Sequence, residues 1–119
     1  MPLWVRISFI PWGIGCGSGT EKLMEIGNTT HLKKTVTEND VNVFADLSLD
    51  HNPIHFSDEF ASGTVFGKRI AHGMISAALI SGALTELVGP GNIWLSANLE
   101  FKNPVYIGDE IRCSLTVTK

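Results

Sequence analysis

Asp50, His51, Asn52, Pro53 and His55 fall within six consecutive residues. Proline fixes one backbone dihedral and restricts the residue before it, so side chains flanking Asn52-Pro53 are aimed reproducibly. A carboxylate (Asp50) and an imidazole (His55) held by such a turn can both touch one water molecule. Together they can take a proton from that water and return one to carbon, which is the acid–base work of hydration. The same spacing also suits a plain Asp-Asn-Pro turn with a histidine on the surface, and the residues alone leave both readings open. His51 adds a third donor, but no fourth ligand follows at metal-like spacing, and His31 and His72 would have to arrive by folding. No metal is expected, and His51 reads as an outward residue of the loop.

His72-Gly73 stands directly before a long apolar run. Free backbone N–H groups at a helix start, helped by the helix dipole, can hold a developing oxyanion, and glycine lets a substrate approach the backbone. Equally, Gly73 could simply permit entry to a crowded helix, with His72 a hydrogen-bonded structural histidine. Ser76 and Ser81 are expected on the helix interior. Ser81 either touches the reacting groups or only bonds back to the helix backbone. No G-x-S-x-G elbow is present and neither Cys16 nor Cys113 sits in an activating context, so a nucleophilic hydrolase fits poorly. The two cysteines are read as unpaired thiols.

Several elements must position these groups. Thr29 to Val36 is short, rich in β-branched residues and roughly alternating, so it reads as a strand. Thr37, with an acid at Asp40, resembles an N-cap opening a helix in which Val41, Phe44, Ala45 and Leu47 share one face. That helix should stop near Asp50, because Pro53 disfavours the helical state of Asn52. Ser57 caps one further helical turn, and Ser62 to Arg69 is a loop. Gly73 to Val88 carries one charge, Glu86, which describes a helix buried on nearly every side. Gly89-Pro90-Gly91 ends it. Ile93 to Phe101 and Ile111 to Val117 alternate like strands, with bends at Asn103-Pro104 and Gly108-Asp109.

The 119 residues are 44% hydrophobic, which suits a single domain with a modest core. The net charge of −3 is spread without blocks, so neither nucleic acid nor a membrane surface is expected as a partner. Residues 1–22 read as an irregular leader standing outside the fold, or as a start placed too early; a targeting segment is the alternative. The glycines at 13, 15, 17 and 19 follow no clear strand and are not read as a nucleotide loop. Residues 23–119 form the domain. A buried helix between an early strand and later antiparallel strands describes an α+β fold with a sheet wrapped round a central helix.

These features occur in a familiar order. The chain resembles the MaoC-like, (R)-specific enoyl-CoA hydratases of the hot-dog fold. The resemblance is carried by Phe44 to His55 with Phe60-Ala61, by Phe66-Gly67 with Ile70 to Met74, and by Phe101 to Asp109. It implies that Asp50 and His55 are the catalytic pair acting on water. It implies also that the Gly73 N–H stabilises an enolate-like thioester oxygen, that Asn52 shapes the loop, and that Ser81 and His72 lie beside the site. Substrates would be trans-2-enoyl thioesters and (R)-3-hydroxyacyl partners, with CoA or acyl carrier protein as part of the substrate and no cofactor. A homodimer in the cytoplasm is expected, or in mitochondria if the leader is a targeting segment.

Two departures accompany the match. Many relatives have glycine where this chain has Leu49. Family domains also normally continue with two more strands beyond the one ending near Lys119, so the sheet is expected to be incomplete at its C-terminal side. A non-catalytic hot-dog module that binds acyl thioesters or assembles with a partner is the alternative, and a hot-dog thioesterase a lesser one.

Overall fold

The computed structural model describes residues 6–8, 25–91 and 93–118. Its elements are β1 (Arg6–Ser8), β2 (Thr29–Thr35), α1 (Glu38–Ser48), a 3₁₀ turn (Pro53–His55), α2 (Asp58–Ser62), α3 (Gly73–Val88), β3 (Ser96–Asn98) and β4 (Glu110–Thr116). Antiparallel pairing joins β2 to β4 over seven residues, from Thr29 opposite Thr116 to Thr35 opposite Glu110. A second antiparallel pair joins β1 to β3.

Local chemistry sets these boundaries. The Thr37 hydroxyl accepts from the Asp40 N–H, and the Asp40 carboxylate accepts from the Thr37 N–H, a reciprocal cap that satisfies two otherwise orphaned donors at the start of α1. Ser57 caps α2 by accepting from the Phe60 N–H. Gly89, with φ of 82°, ends α3. The bend before β4 closes when Gly108 donates to the Val36 carbonyl and Val36 donates to that of Asp109. Gly108 has φ of 101°, which an L side chain rarely adopts.

The core runs along one side of α3. Val36 and Val41, fully buried, pack with Ala71 and Ile75 and join the end of β2 to α1 and the start of α3. Further along, Ile80, Ala83 and Cys113 pack against Leu32, Trp94, Leu99 and Leu115, which seats α3 on the β2–β4 pair. Burying each such large aliphatic side chain stabilises the fold by roughly 1.5–3 kcal/mol.

Three expectations are corrected. The helix is not buried on nearly every side: Met74, Ala78, Ser81, Gly82 and Thr85 are exposed while Ile80, Ala83, Leu84 and Leu87 are buried. Two strands cover one face, and Met74, Ala78 and Ser81 line an open groove on another. Ser76 is buried as expected, but Ser81 is not. The strand expected from Ile93 to Phe101 is pared to Ser96–Asn98, which pairs with Arg6–Ser8. Trp94 and Leu99 still pack inward from the irregular flanks.

Within the stretch read as a leader, Arg6–Ser8 forms the strand that pairs with Ser96–Asn98; the glycines at 13–19 and Cys16 lie outside the described residues. Cys113 is a free, buried thiol, and burial raises its pKa above the usual thiol value. Among the described residues no helix is long and apolar enough to cross a membrane.

Candidate active site

The chain leaves α1 through Leu49, whose φ of 63° places a non-glycine residue in the left-handed region, with its N–H donating to the Ala45 carbonyl at 2.8 Å. The next residues bond to one another. Asp50 N–H donates to the Ser48 hydroxyl at 3.2 Å, and Asn52 N–H to an Asp50 carboxylate oxygen at 3.1 Å. The Asn52 side-chain oxygen accepts from the Ile54 N–H at 3.2 Å and so caps the 3₁₀ turn that Pro53 opens. Side chains of this kind offer the backbone local partners, which makes the loop stiff without regular structure. At its end, His55 points inward and is 7% exposed.

His55 Nδ1 lies 2.7 Å from the Ile70 carbonyl oxygen. A carbonyl only accepts, so Nδ1 carries the proton and the neutral ring keeps its lone pair on Nε2. His72, 3% exposed, is tied the other way round: its Nε2 lies 3.0 Å from the Asp50 carbonyl oxygen, leaving Nδ1 with no hydrogen-bond partner among the described residues. The two imidazoles stack with centroids 3.8 Å apart and planes 31° from parallel. Phe44 backs His72 at 4.8 Å. The result is a buried histidine pair, each ring oriented by one backbone carbonyl, beside an exposed carboxylate.

Asp50, His55 and His72 each offer one ligand atom within 4.8 Å of the others. Such a set could hold a cation or a water molecule. The other histidines are elsewhere: His51 is exposed, with its ring 6.1 Å from that of Phe56, and His31 meets the Ser114 hydroxyl at 2.8 Å on the outer face of the β2–β4 pair. The closeness of His72 to His55 is not written in their spacing of 17 residues. Its one trace in the sequence is the His-Gly step at a helix start.

Gly73 is the first residue of α3, so its N–H has no carbonyl within the helix to bond. A Cβ built there would lie 3.0 Å from Phe101 Cδ1, so the half-exposed Phe101 ring rests against this glycine. Ser81 lines the open groove together with Phe44, Met74, Ala78, Trp94 and Leu95, a cavity of about 470 Å³. Phe44 therefore borders both the groove and the histidine pair. No hydrogen bond joins Ser81 to Asp50 or His55 among the described residues; its backbone carbonyl accepts from the Thr85 hydroxyl at 3.3 Å.

Residues 22–119 match the profile of the family described as MaoC like domain. The chain is 50% identical over 93 residues to a protein of Rhodospirillum rubrum named (R)-specific enoyl-CoA hydratase, covering 77% of this chain and 65% of that one. It is 46% identical over 97 residues to a 3-hydroxybutyryl-CoA dehydratase of Methylorubrum extorquens, covering 81% and 62%. The chain thus spans a little under two thirds of these two relatives. A solved structure of the (R)-hydratase from A. caviae involved in PHA biosynthesis superposes with a TM-score of 0.78 at 41% identity, over 82% of this chain and 75% of the other. The fold is a hot-dog; among the described residues two antiparallel strand pairs accompany one long helix.

Proposed function

Since the chain belongs to the MaoC-like domain family, we propose that it reversibly hydrates trans-2-enoyl-CoA to (R)-3-hydroxyacyl-CoA. The observation that carries this reading is the meeting of the Asp50 carboxylate with two tautomer-fixed histidines, all three donors within 4.8 Å. Asp50 and the His55 Nε2 lone pair hold the water between them. In the forward direction they take one of its protons while its oxygen bonds to C3. The electron pair of the C2–C3 double bond then moves into the thioester, whose oxygen gains charge and is met by the Gly73 N–H at the positive end of α3. A proton returned to C2 completes the addition, and the reverse sequence dehydrates. The acid–base pair is this chain's own, so the chemistry needs neither metal nor cofactor.

Asn52 supports the reaction by holding the loop through its bond to Ile54, and His72 by its bond to the Asp50 carbonyl. In this reading Ser81, in the groove wall, faces the substrate. The chain works as a homodimer in this reading. Half-exposed Met74, Leu95 and Phe101 around the open face of α3 support a second copy there.

The test is to mix the purified protein with crotonyl-CoA. Enoyl absorbance falls, the product is (R)-3-hydroxybutyryl-CoA by chiral analysis, and no free CoA appears. Crotonyl-CoA and longer enoyl-CoAs left unchanged would refute the reading, and released CoA would replace it with a thioesterase.

A further inference from the structure

The carbonyl that fixes the His55 tautomer belongs to Ile70, in the short strap between the loop after α2 and the start of α3. The far end of that strap is held by backbone bonds: Ala71 N–H donates to the Val105 carbonyl at 2.7 Å, and Ile70 bridges to Tyr106. At the near end Ile70 N–H donates to the Ile54 carbonyl at 3.4 Å, and a side chain holds the residue before it. Arg69 Nε donates to Asp58 Oδ1 at 2.8 Å, and its Nη2 donates to Glu38 Oε1. Glu38 is the first residue of α1 and Asp58 the first of α2, so one guanidinium ties two helix starts to the residue preceding Ile70. Its hydrogen bonds to Glu38 and then Asp58 raise the Arg69 pKa, and the group stays cationic.

We propose that Arg69 is a positioning residue for the hydration reaction: its two-carboxylate clamp sets the Ile70 carbonyl, and through it the tautomer and aim of the His55 imidazole. The proposal rests on the catalytic reading given above. Arginine suits the task because its planar fork serves two acceptors at once, where lysine offers a point charge. Both carboxylates are largely exposed, so the pairs weigh little in stability. Both also sit at helix N-termini, where negative charge is favourable without a partner. Removing the clamp therefore leaves the fold in place and leaves the strap on its backbone bonds to Ile54, Val105 and Tyr106, with less to hold its aim. His55 has no other hydrogen bond from its ring among the described residues, so a shifted Ile70 carbonyl lets the ring exchange its proton between Nδ1 and Nε2.

The experiment compares the wild-type chain with Arg69→Met and with the double variant Glu38→Gln/Asp58→Asn, which removes the clamp from the two exposed partners should Arg69→Met fail to fold. Ring ¹⁵N NMR at alkaline pH reads the His55 tautomer in the resting protein. Wild type is expected almost wholly as the Nδ1–H form and the variants as a mixture. With crotonyl-CoA, kcat is expected to fall about tenfold at an unchanged KM, as misaimed catalytic groups do. Arg69→Lys, which reaches one carboxylate, should recover part of the loss. An unshifted tautomer, or a shifted one with wild-type kcat, would overturn the proposal. Because the NMR signal needs no turnover, an inactive wild type would sink the hydratase reading while the clamp is still decided by the tautomer.

Discussion

The His55 and His72 rings stack at 3.8 Å, and each holds a backbone carbonyl of the other side of the site: His55 that of Ile70, next to Arg69, and His72 that of Asp50 itself. The two bonds cross between the catalytic loop and the strap leading into α3. His72 thereby touches both members of the proposed acid–base pair, one through its backbone and one face to face.

Changing His72 to Phe keeps a flat ring beside His55 and deletes the bond to the Asp50 carbonyl. Stability should fall by about 1 kcal/mol, the usual worth of one hydrogen bond, and kcat should fall roughly tenfold as Asp50 loses its aim. Urea unfolding and steady-state kinetics check the two parts separately. Wild-type kcat in this variant would show that His72 only fills space.

Leu49 is 79% exposed and holds φ at 63°, where an L side chain costs roughly 1 kcal/mol. Leu49→Gly relieves that cost, and the greater freedom of glycine in the unfolded chain takes part of it back, so a gain of about 0.5 kcal/mol is expected. Leu49→Val should be destabilising by about 1 kcal/mol, since a β-branched residue suits that region still less. Denaturant midpoints give both values. Equal stabilities for the Gly and Val variants would deny the strain.

Much of this arrangement was legible in the residues because local chemistry wrote it. Thr37 with Asp40, Ser57 and Gly89 mark helix ends by their own hydrogen bonds or dihedral, and the structure places the ends there. Asp50 and His55 are five residues apart with a proline between, so the turn alone keeps them near each other. The open face of α3 was not legible. Its exposed residues are Gly, Met, Ala, Ser, Thr and one Glu, and its buried ones Ile, Ala, Ser, Leu and Val, so apart from Glu86 polarity hardly distinguishes the two sides. The stacking of His55 on His72 depends on the packing of Phe44, Val41 and Ile75, which brings α1 and the start of α3 together. No local pattern records that.

The cap of α1 carries a pH signature. The hydrogen bond from the Thr37 N–H, then those from Lys34 and the Thr37 hydroxyl, hold the Asp40 carboxyl below its usual value against the opposing effect of burial. A depressed folded pKa means the stabilisation is fully present above the unfolded value and is lost as pH falls through the folded one, which is an acid-side loss below about pH 4. Asp40→Asn should be about 1 kcal/mol less stable at neutral pH. The gap should narrow as pH falls below that point. A gap of constant size down to acid pH in urea titrations would contradict the assigned bond.

The most direct test is the rate at which crotonyl-CoA loses its enoyl absorbance with wild-type protein and with Asp50→Asn, whose side chain keeps an oxygen for the Asn52 N–H but cannot take a proton. Wild type should hydrate the substrate, and the variant, folded alike by circular dichroism, should lose at least about 100-fold in kcat. An Asp50→Asn protein that hydrates crotonyl-CoA at the wild-type rate would contradict the assignment of Asp50 and His55 as the pair that activates water.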